Sequence, residues 1–183
     1  MLVDGSLHGV TWGASQFVAL GFRSGTDVAA YDHFPPLIVT SPDGVTWTQR
    51  DAPGSRSLED VVWSGDRFVA VGYSGILTSS DGVKWSQQRI PVDGSLEGVT
   101  WGGDQFVAVG TIGGLALNSG LILTSPDGIA WKQRRSPARG LLPLDLTHHL
   151  RDVAWSGSRF AIVGEVRSYG IVAEYKPSIL TSP

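Results

Sequence analysis

The sequence predicts an all-β fold, a β-propeller of four-stranded antiparallel blades, and three observations carry that prediction. Two motifs alternate along the chain. One reads "LHGVTWGASQFVALG" (7–21), "LEDVVWSGDRFVAVG" (58–72), "LEGVTWGGDQFVAVG" (96–110) and "LRDVAWSGSRFAIVG" (150–164). The other reads "IVTSPDGVTW" (38–47), "ILTSSDGVKW" (76–85) and "ILTSPDGIAW" (122–131), with a partial copy "ILTSP" at 179–183. Every segment is short, rich in Val, Ile, Phe, Trp and Thr, and bounded by Gly, Ser or Asp, as strands are. No stretch carries a sustained helical period. One four-stranded sheet of this size cannot bury both faces alone, so neighbouring sheets must stack, and stacked antiparallel units at this period are propeller blades.

Each repeat parses into four strands. Strand A is "LxxVxW", with Trp12, Trp63, Trp101 and Trp155 at spacings of 51, 38 and 54. Strand B is "FVAVG" and its variants, strand C is "ILTS", and strand D follows the "DG" and is expected to carry Trp47, Trp85 and Trp131. The A–B connections ("WGAS", "WSGD", "WGGD", "WSGS") read as tight hairpin turns with Gly at hand for positive φ. In the C–D connection, "S-P-D-G" offers Pro for a fixed φ, Asp for a bond to its own backbone, and Gly for the left-handed residue. The blades run approximately 6–50, 57–90, 95–135 and 149–183 in a single propeller domain, the last lacking its outer strand.

Blades 1 and 3 share "GVTWG" and a Gln before the Phe, where blades 2 and 4 have "DV(V/A)WS" and Arg. The alternation suggests duplication of a two-blade unit. Two assemblies follow: half of an eight-bladed ring completed by a homodimer, or a fragment of a longer propeller.

Composition narrows the function classes. The chain has 42% hydrophobic and 17% charged residues, with 24 Gly and 10 Pro, the make-up of a turn-rich globular protein. A net charge of −3 gives no electrostatic footprint for nucleic acid or an anionic membrane. With no cysteine, disulfides, thiol catalysis and cysteine-based zinc sites are excluded. The first residues show no signal-peptide pattern, and no apolar run reaches the roughly 18–20 residues of a spanning helix. The chain reads as soluble, and its compartment is not assigned.

"SPDGVTW" (41–47), "SSDGVKW" (79–85) and "SPDGIAW" (125–131) resemble the Asp-box (BNR) repeats of sialidase-like β-propellers, whose pattern is roughly Ser-x-Asp-x-Gly-x-Thr-Trp. Here the Gly follows the Asp directly. As a repeat pattern the resemblance covers nearly the whole chain. It implies the fold, but the function stays open, because similar repeats occur in sialidases, xyloglucan-cleaving hydrolases, sorting receptors and photosystem assembly factors. In that family the boxes are structural hairpins away from the catalytic site. The resemblance therefore implies a structural role for Asp43, Gly44 and Trp47, for Asp81, Gly82 and Trp85, and for Asp127, Gly128 and Trp131.

Topology locates a candidate binding face. The A–B and C–D turns lie at one end of each blade and are uniformly tight. The B–C and D–A connections lie at the other end and vary in length and composition, as binding loops on a rigid scaffold do. That end also receives the residue after the strand-A Leu, which is His8, Glu59, Glu97 and Arg151 in the four blades. Tyr31, Tyr73 and Tyr169, with Tyr175, fall in or beside the B–C loops and suit sugar stacking or a protein contact. Arg139, with Arg134, Arg135 and Arg167, hints at acidic partners. His148 and His149 are adjacent and face opposite ways on an extended segment, and His33 beside Asp32 has no specific ligand spacing, so no metal site and no cofactor are expected.

No nucleophile–base–orienter set and no phosphate-binding loop stands out. The expectation from sequence is thus a non-enzymatic binding or scaffold propeller, with a protein or carbohydrate ligand on the B–C and D–A face and no nucleic-acid or membrane partner. The alternative is a glycoside hydrolase of sialidase-like propeller type, for which Glu59 and Glu97 are the carboxylate pair to nominate.

Overall fold

The computed structural model describes residues 4–24, 34–54, 56–73, 75–112, 119–135, 146–168 and 175–181. Among them it holds fifteen strands and no helix. Blade 1 comprises β1 (Gly5–Gly13), β2 (Gln16–Arg23), β3 (Pro36–Ser41) and β4 (Thr48–Arg50). Blade 2 comprises β5 (Leu58–Trp63), β6 (Phe68–Gly72), β7 (Gly75–Ser79) and β8 (Ser86–Gln88). Blade 3 comprises β9 (Gly94–Gly102), β10 (Gln105–Ile112), β11 (Ser119–Ser125) and β12 (Lys132–Arg134). Blade 4 has three strands, β13 (Leu146–Trp155), β14 (Phe160–Ser168) and β15 (Tyr175–Thr181). Each sheet is an antiparallel meander in chain order. The fold is that of propeller blades.

The chain divides into two compact units, Met1–Arg89 and Ile90–Pro183, so each holds two blades. Within a unit, the back face of one blade packs on the front face of the next. In the first unit, Val18, Leu20 and Ile38 meet Leu58, Val61, Phe68, Ala70, Leu77 and Trp85. In the second, Val107, Val109 and Ile122 meet Leu150, Val153, Phe160 and Ile162. Alternation along strands B and C supplies both faces, because successive side chains point to opposite sides of a sheet.

The alternating sequence signature has a physical cause inside each unit. A Cβ on Gly9 would stand 3.0 Å from the Asp60 Cα, and one on Gly98 would stand 2.9 Å from the Asp152 Cα. Blades 1 and 3 thus keep Gly where strand A of the following blade comes closest. Any side chain at Gly13 or Gly102 would likewise collide with the ring of Trp63 or Trp155. These glycines make room for a neighbour, and the turn does not require them. The blade 1 turn runs through Ala14 (φ 46°) and Ser15 (φ 60°), and the blade 3 turn through Gly103 (φ 54°) and Asp104 (φ 59°). Two successive left-handed residues match the twist of a two-residue hairpin, even when alanine and serine must supply them. Blades 2 and 4 instead use a four-residue loop closed by Ser64 N–H to the Arg67 carbonyl and Ser156 N–H to the Arg159 carbonyl, both at 3.0 Å.

The tryptophans after the "DG" lie one residue before the outer strands β4, β8 and β12, not within them as expected. Each indole N–H turns back to the Gly carbonyl of its own hairpin, at 3.1 Å for Trp47, 3.0 Å for Trp85 and 2.8 Å for Trp131. The ring then covers the strand-B Phe, which also touches the strand-A Trp. The triplet Trp63–Phe68–Trp85, with centroids 4.4 and 6.2 Å apart, recurs as Trp101–Phe106–Trp131 and Trp12–Phe17–Trp47. No helix among the described residues is long and apolar enough to cross a membrane.

Candidate functional site

In all four blades the A–B ladder skips one residue, and the skipped residue is the one after the strand-A Leu. Leu7 pairs with Gly21 and Gly9 with Leu20, leaving His8 out of the ladder. Glu59, Glu97 and Arg151 are left out in the same way, opposite Gly72, Gly110 and Gly164. Each is the extra residue of a β-bulge, a device that bends a strand and re-aims a side chain. The strand-B glycine makes the bulge possible, because the bulged backbone folds down onto it. A Cβ at Gly21, Gly72, Gly110 or Gly164 would stand 2.6–3.0 Å from the Cα of the strand-A Leu. An interior strand glycine is the sequence sign of such an approach.

Within each unit the two bulged side chains meet. His8 Nδ1 lies 2.7 Å from Glu59 Oε2, and the Ser57 hydroxyl donates to Glu59 Oε1 at 2.9 Å. The His8 ring is steadied edge-on by Phe22, at 5.3 Å between centroids, and Phe22 packs on Phe34. In the second unit Arg151 Nη1 donates to Glu97 Oε2 at 2.5 Å, and Nη2 donates to Glu165 Oε1. The hydrogen bond to Glu97, joined by the one to Glu165, raises the Arg151 pKa above its ordinary value despite partial burial. Both glutamates are more buried than the guanidinium between them. Each unit therefore carries a carboxylate at a bulge, held by a basic side chain from the equivalent bulge of the adjacent blade. Glu59 and Glu97, nominated together from sequence, belong to different units.

Sequence reasoning reached His8, Glu59, Glu97 and Arg151 but missed Ser57, Glu165 and the bulge itself. The signal for the bulge was available, since the Gly ending strand B stands in all four repeats. Glu165 lies beyond that Gly on β14, where no repeat comparison points to it. Tyr73 is exposed beside β6. Tyr31, Tyr169 and Arg139 lie outside the described residues, as do most of the variable B–C and D–A loops. His149 Nδ1 lies 3.3 Å from the Thr111 hydroxyl. Among the described residues, no group of three or more His, Asp and Glu is placed to hold a metal ion. An open groove in the first unit, walled by residues 49–53 and 83–85, contains no bulge residue.

The "DG" hairpins have a different character. Asp43 Oδ1 accepts from the Val45 and Thr46 N–H groups at 2.9 and 2.7 Å and from the Ser41 hydroxyl at 2.9 Å. Ser41 Oγ in turn accepts from Gly44 N–H at 2.8 Å, and Gly44 is left-handed at φ 74°. Asp81 and Asp127 repeat this pattern on Ser79 and Ser125. The Thr46 and Val45 N–H groups, then the Ser41 hydroxyl, hold the Asp43 pKa down at about 2. The Lys84 and Val83 N–H groups lower that of Asp81. A carboxylate so fully engaged by its own turn is built into the fold.

No family model and no curated protein sequence matches this chain. Solved structures do. A GH32 β-fructofuranosidase of Bombyx mori aligns at a TM-score of 0.59 and 13% identity, over 98% of this chain and 46% of that one. An ancestral GH74 enzyme aligns at 0.60 and 14% identity, over 97% of this chain and 27% of that one. A structure from the GH130 family of mannoside phosphorylases, described as containing hydrolases of β-1,2 mannosidic linkages, aligns at 0.56 and 11% identity, over 97% and 66%. At such identities the likeness is one of fold, and this chain spans less than half the length of the fructofuranosidase. The expectation of a non-enzymatic scaffold or binding module is nevertheless corrected. These three neighbours come from glycoside hydrolase and mannoside phosphorylase families, which favours the enzyme alternative.

Proposed function

We propose that this chain is the blade framework of a glycoside-processing propeller, with substrate held over the strand-A bulges of a two-blade unit. The observation that carries this reading is the bulged carboxylate of each two-blade unit, Glu59 or Glu97, aimed out of the ladder and held by a basic neighbour. Glycoside cleavage needs two carboxyl groups, one to protonate the leaving oxygen and one to attack or to activate water, and in the second unit Glu97 and Glu165 stand together on Arg151. A bulge is a suitable mount, since the rest of the strand stays locked in the sheet and the side chain is fixed within it. The partners His8, Ser57, Arg151 and Glu165 orient these carboxylates and offer further contacts to sugar hydroxyls. The serine–aspartate–glycine hairpins support a finer reading as Asp-boxes, with Asp43, Asp81 and Asp127 structural and outside the chemistry.

The test is a panel of aryl glycosides that includes β-fructofuranosides and β-mannosides, assayed with and without inorganic phosphate. Turnover of at least one substrate by the chain is expected, falling roughly a hundredfold or more in Glu59→Gln or Glu97→Gln. Absence of turnover across the panel, or turnover that survives in both variants, would overturn the proposal.

A further inference from the structure

The side chains that flank the bulges differ in kind between the two units. The residue after each strand-B glycine is Phe22, Tyr73, Thr111 or Glu165. In the ladder it falls opposite the residue before the strand-A Leu, with Phe22 opposite Ser6, Thr111 opposite Ser95 and Glu165 opposite His149. This position stands beside the bulge. Glu165 accepts from Arg151 there, and Phe22 meets the His8 ring edge-on at 5.3 Å. In the second unit both flanks are polar, since Thr111 is 5% exposed with its hydroxyl against His149, and the other flank is Glu165. In the first unit both flanks are aromatic.

The aromatic flanks are open to solvent and firmly mounted. Phe22 packs on Phe34 with centroids 4.8 Å apart, and Phe34 keeps 45% of its surface exposed. Phe34 is fixed by the Arg23 N–H bond to the Pro35 carbonyl, at 2.9 Å, and by the pairing of Phe22 with Pro36. Tyr73, in the equivalent position beside Glu59, is 51% exposed. A lone exposed aromatic is ordinary, but these border a carboxylate and an imidazole already bonded to each other. Apolar walls around a few placed polar groups are the make-up of a small-molecule site. A pyranose matches it, carrying C–H groups on its faces and hydroxyls around its edge. An acidic sugar would set its carboxylate against that of Glu59, with no guanidinium at either bulge of this unit to offset it. On the glycoside-processing reading, on which this rests, we propose that the first unit takes neutral hexopyranosides. Their C–H faces rest on Phe34 and Tyr73 while their hydroxyls bond Glu59 and His8.

Saturation-transfer NMR with methyl β-D-glucopyranoside and methyl β-D-mannopyranoside tests this on the chain as it stands, without need of turnover. Irradiating the aromatic protons should pass saturation most strongly to the axial ring hydrogens of at least one of them. Phe34→Ala and Tyr73→Ala should each weaken its binding about tenfold with an unchanged circular dichroism spectrum, while Phe34→Trp keeps it. Methyl β-D-glucuronide should bind more weakly than the glucopyranoside, by about tenfold or more. No transfer from the wild-type chain to either neutral glycoside overturns the proposal, as does wild-type binding in either alanine variant or equal binding of the glucuronide. Aryl-glycoside turnover that neither alanine variant alters sinks the stacking site alone. Neutral-glycoside binding that both variants weaken, with no turnover in the panel, sinks the hydrolytic reading alone.

Discussion

Two irregularities recur from blade to blade, and they assign opposite roles to their side chains. In the C–D hairpin the side chain is the structure. Asp81 accepts two backbone N–H groups, Ser79 accepts a third, and Trp85 returns its indole N–H to the Gly82 carbonyl. Removing any of these groups removes a bond that shapes the turn, and the three complete hairpins repeat Ser, Asp, Gly and Trp without change. At the strand-A bulge the backbone is the structure. The strand-B Gly admits it and the strand-A Leu anchors it, while the bulged position itself holds His8, Glu59, Glu97 or Arg151. One geometry carries three chemistries: imidazole, carboxylate and guanidinium. Where a fold fixes the backbone by other means, the side chain is released for function, and this contrast places the candidate site at the bulges.

The contrast breaks most readily at the bulge glycines. Gly110→Ala sets a Cβ 2.8 Å from the Leu96 Cα, a clash with backbone that no rotamer relieves. It should cost about 3 kcal/mol or more, read from the urea midpoint. Gly65→Ala, with no atom within 4 Å but φ at 112°, should cost about 1–2 kcal/mol. Equal losses would show that the close approach of strand A is not what fixes Gly110.

Acid should act on the hairpins next. The Asp43 pKa in the folded chain, about 2, lies below the ordinary carboxylate value of 3.8. The unfolded chain therefore binds the proton first as pH falls, and the stability this carboxylate contributes is complete above about pH 4 and lost toward pH 2. Urea midpoints measured across that window should fall more steeply for the wild type than for Asp43→Asn. Parallel slopes would remove the carboxylate from the turn's stability.

The smallest effect belongs to the bulged residue itself. His8→Gln should change the unfolding free energy, read from the thermal midpoint, by no more than about 0.5 kcal/mol, because a partly exposed pair contributes little. A loss of about 2 kcal/mol would make His8 part of the fold and erase the distinction on which the site rests.

Much of this was legible in advance. Val, Ile and Trp at period two, punctuated by Gly and Asp, announce the strands, and the repeated "SxDG" announces hairpins whose bonds are local in sequence. The grouping into two-blade units was visible in "GVTW" against "DVVW", although its cause, Gly9 beside Asp60, was not. Of the site, the four bulged positions stood out because they differ where their neighbours agree. Their pairing did not, since His8 and Glu59 are 51 residues apart and Glu97 and Arg151 are 54 apart. Glu165 was silent because it follows strand B, where the four repeats diverge.

By itself, the sequence determined what short-range forces decide: strand by strand periodicity, the residues that can turn left-handed, and the hairpins closed by bonds to residues two or three positions away. Only the tertiary structure decided which side chains share a place. The ladder skips a residue because strand A must settle onto a glycine more than ten residues further on, and each bulged charge then finds its partner across a blade boundary. Those contacts depend on how one sheet lies against the next, which local propensity does not encode.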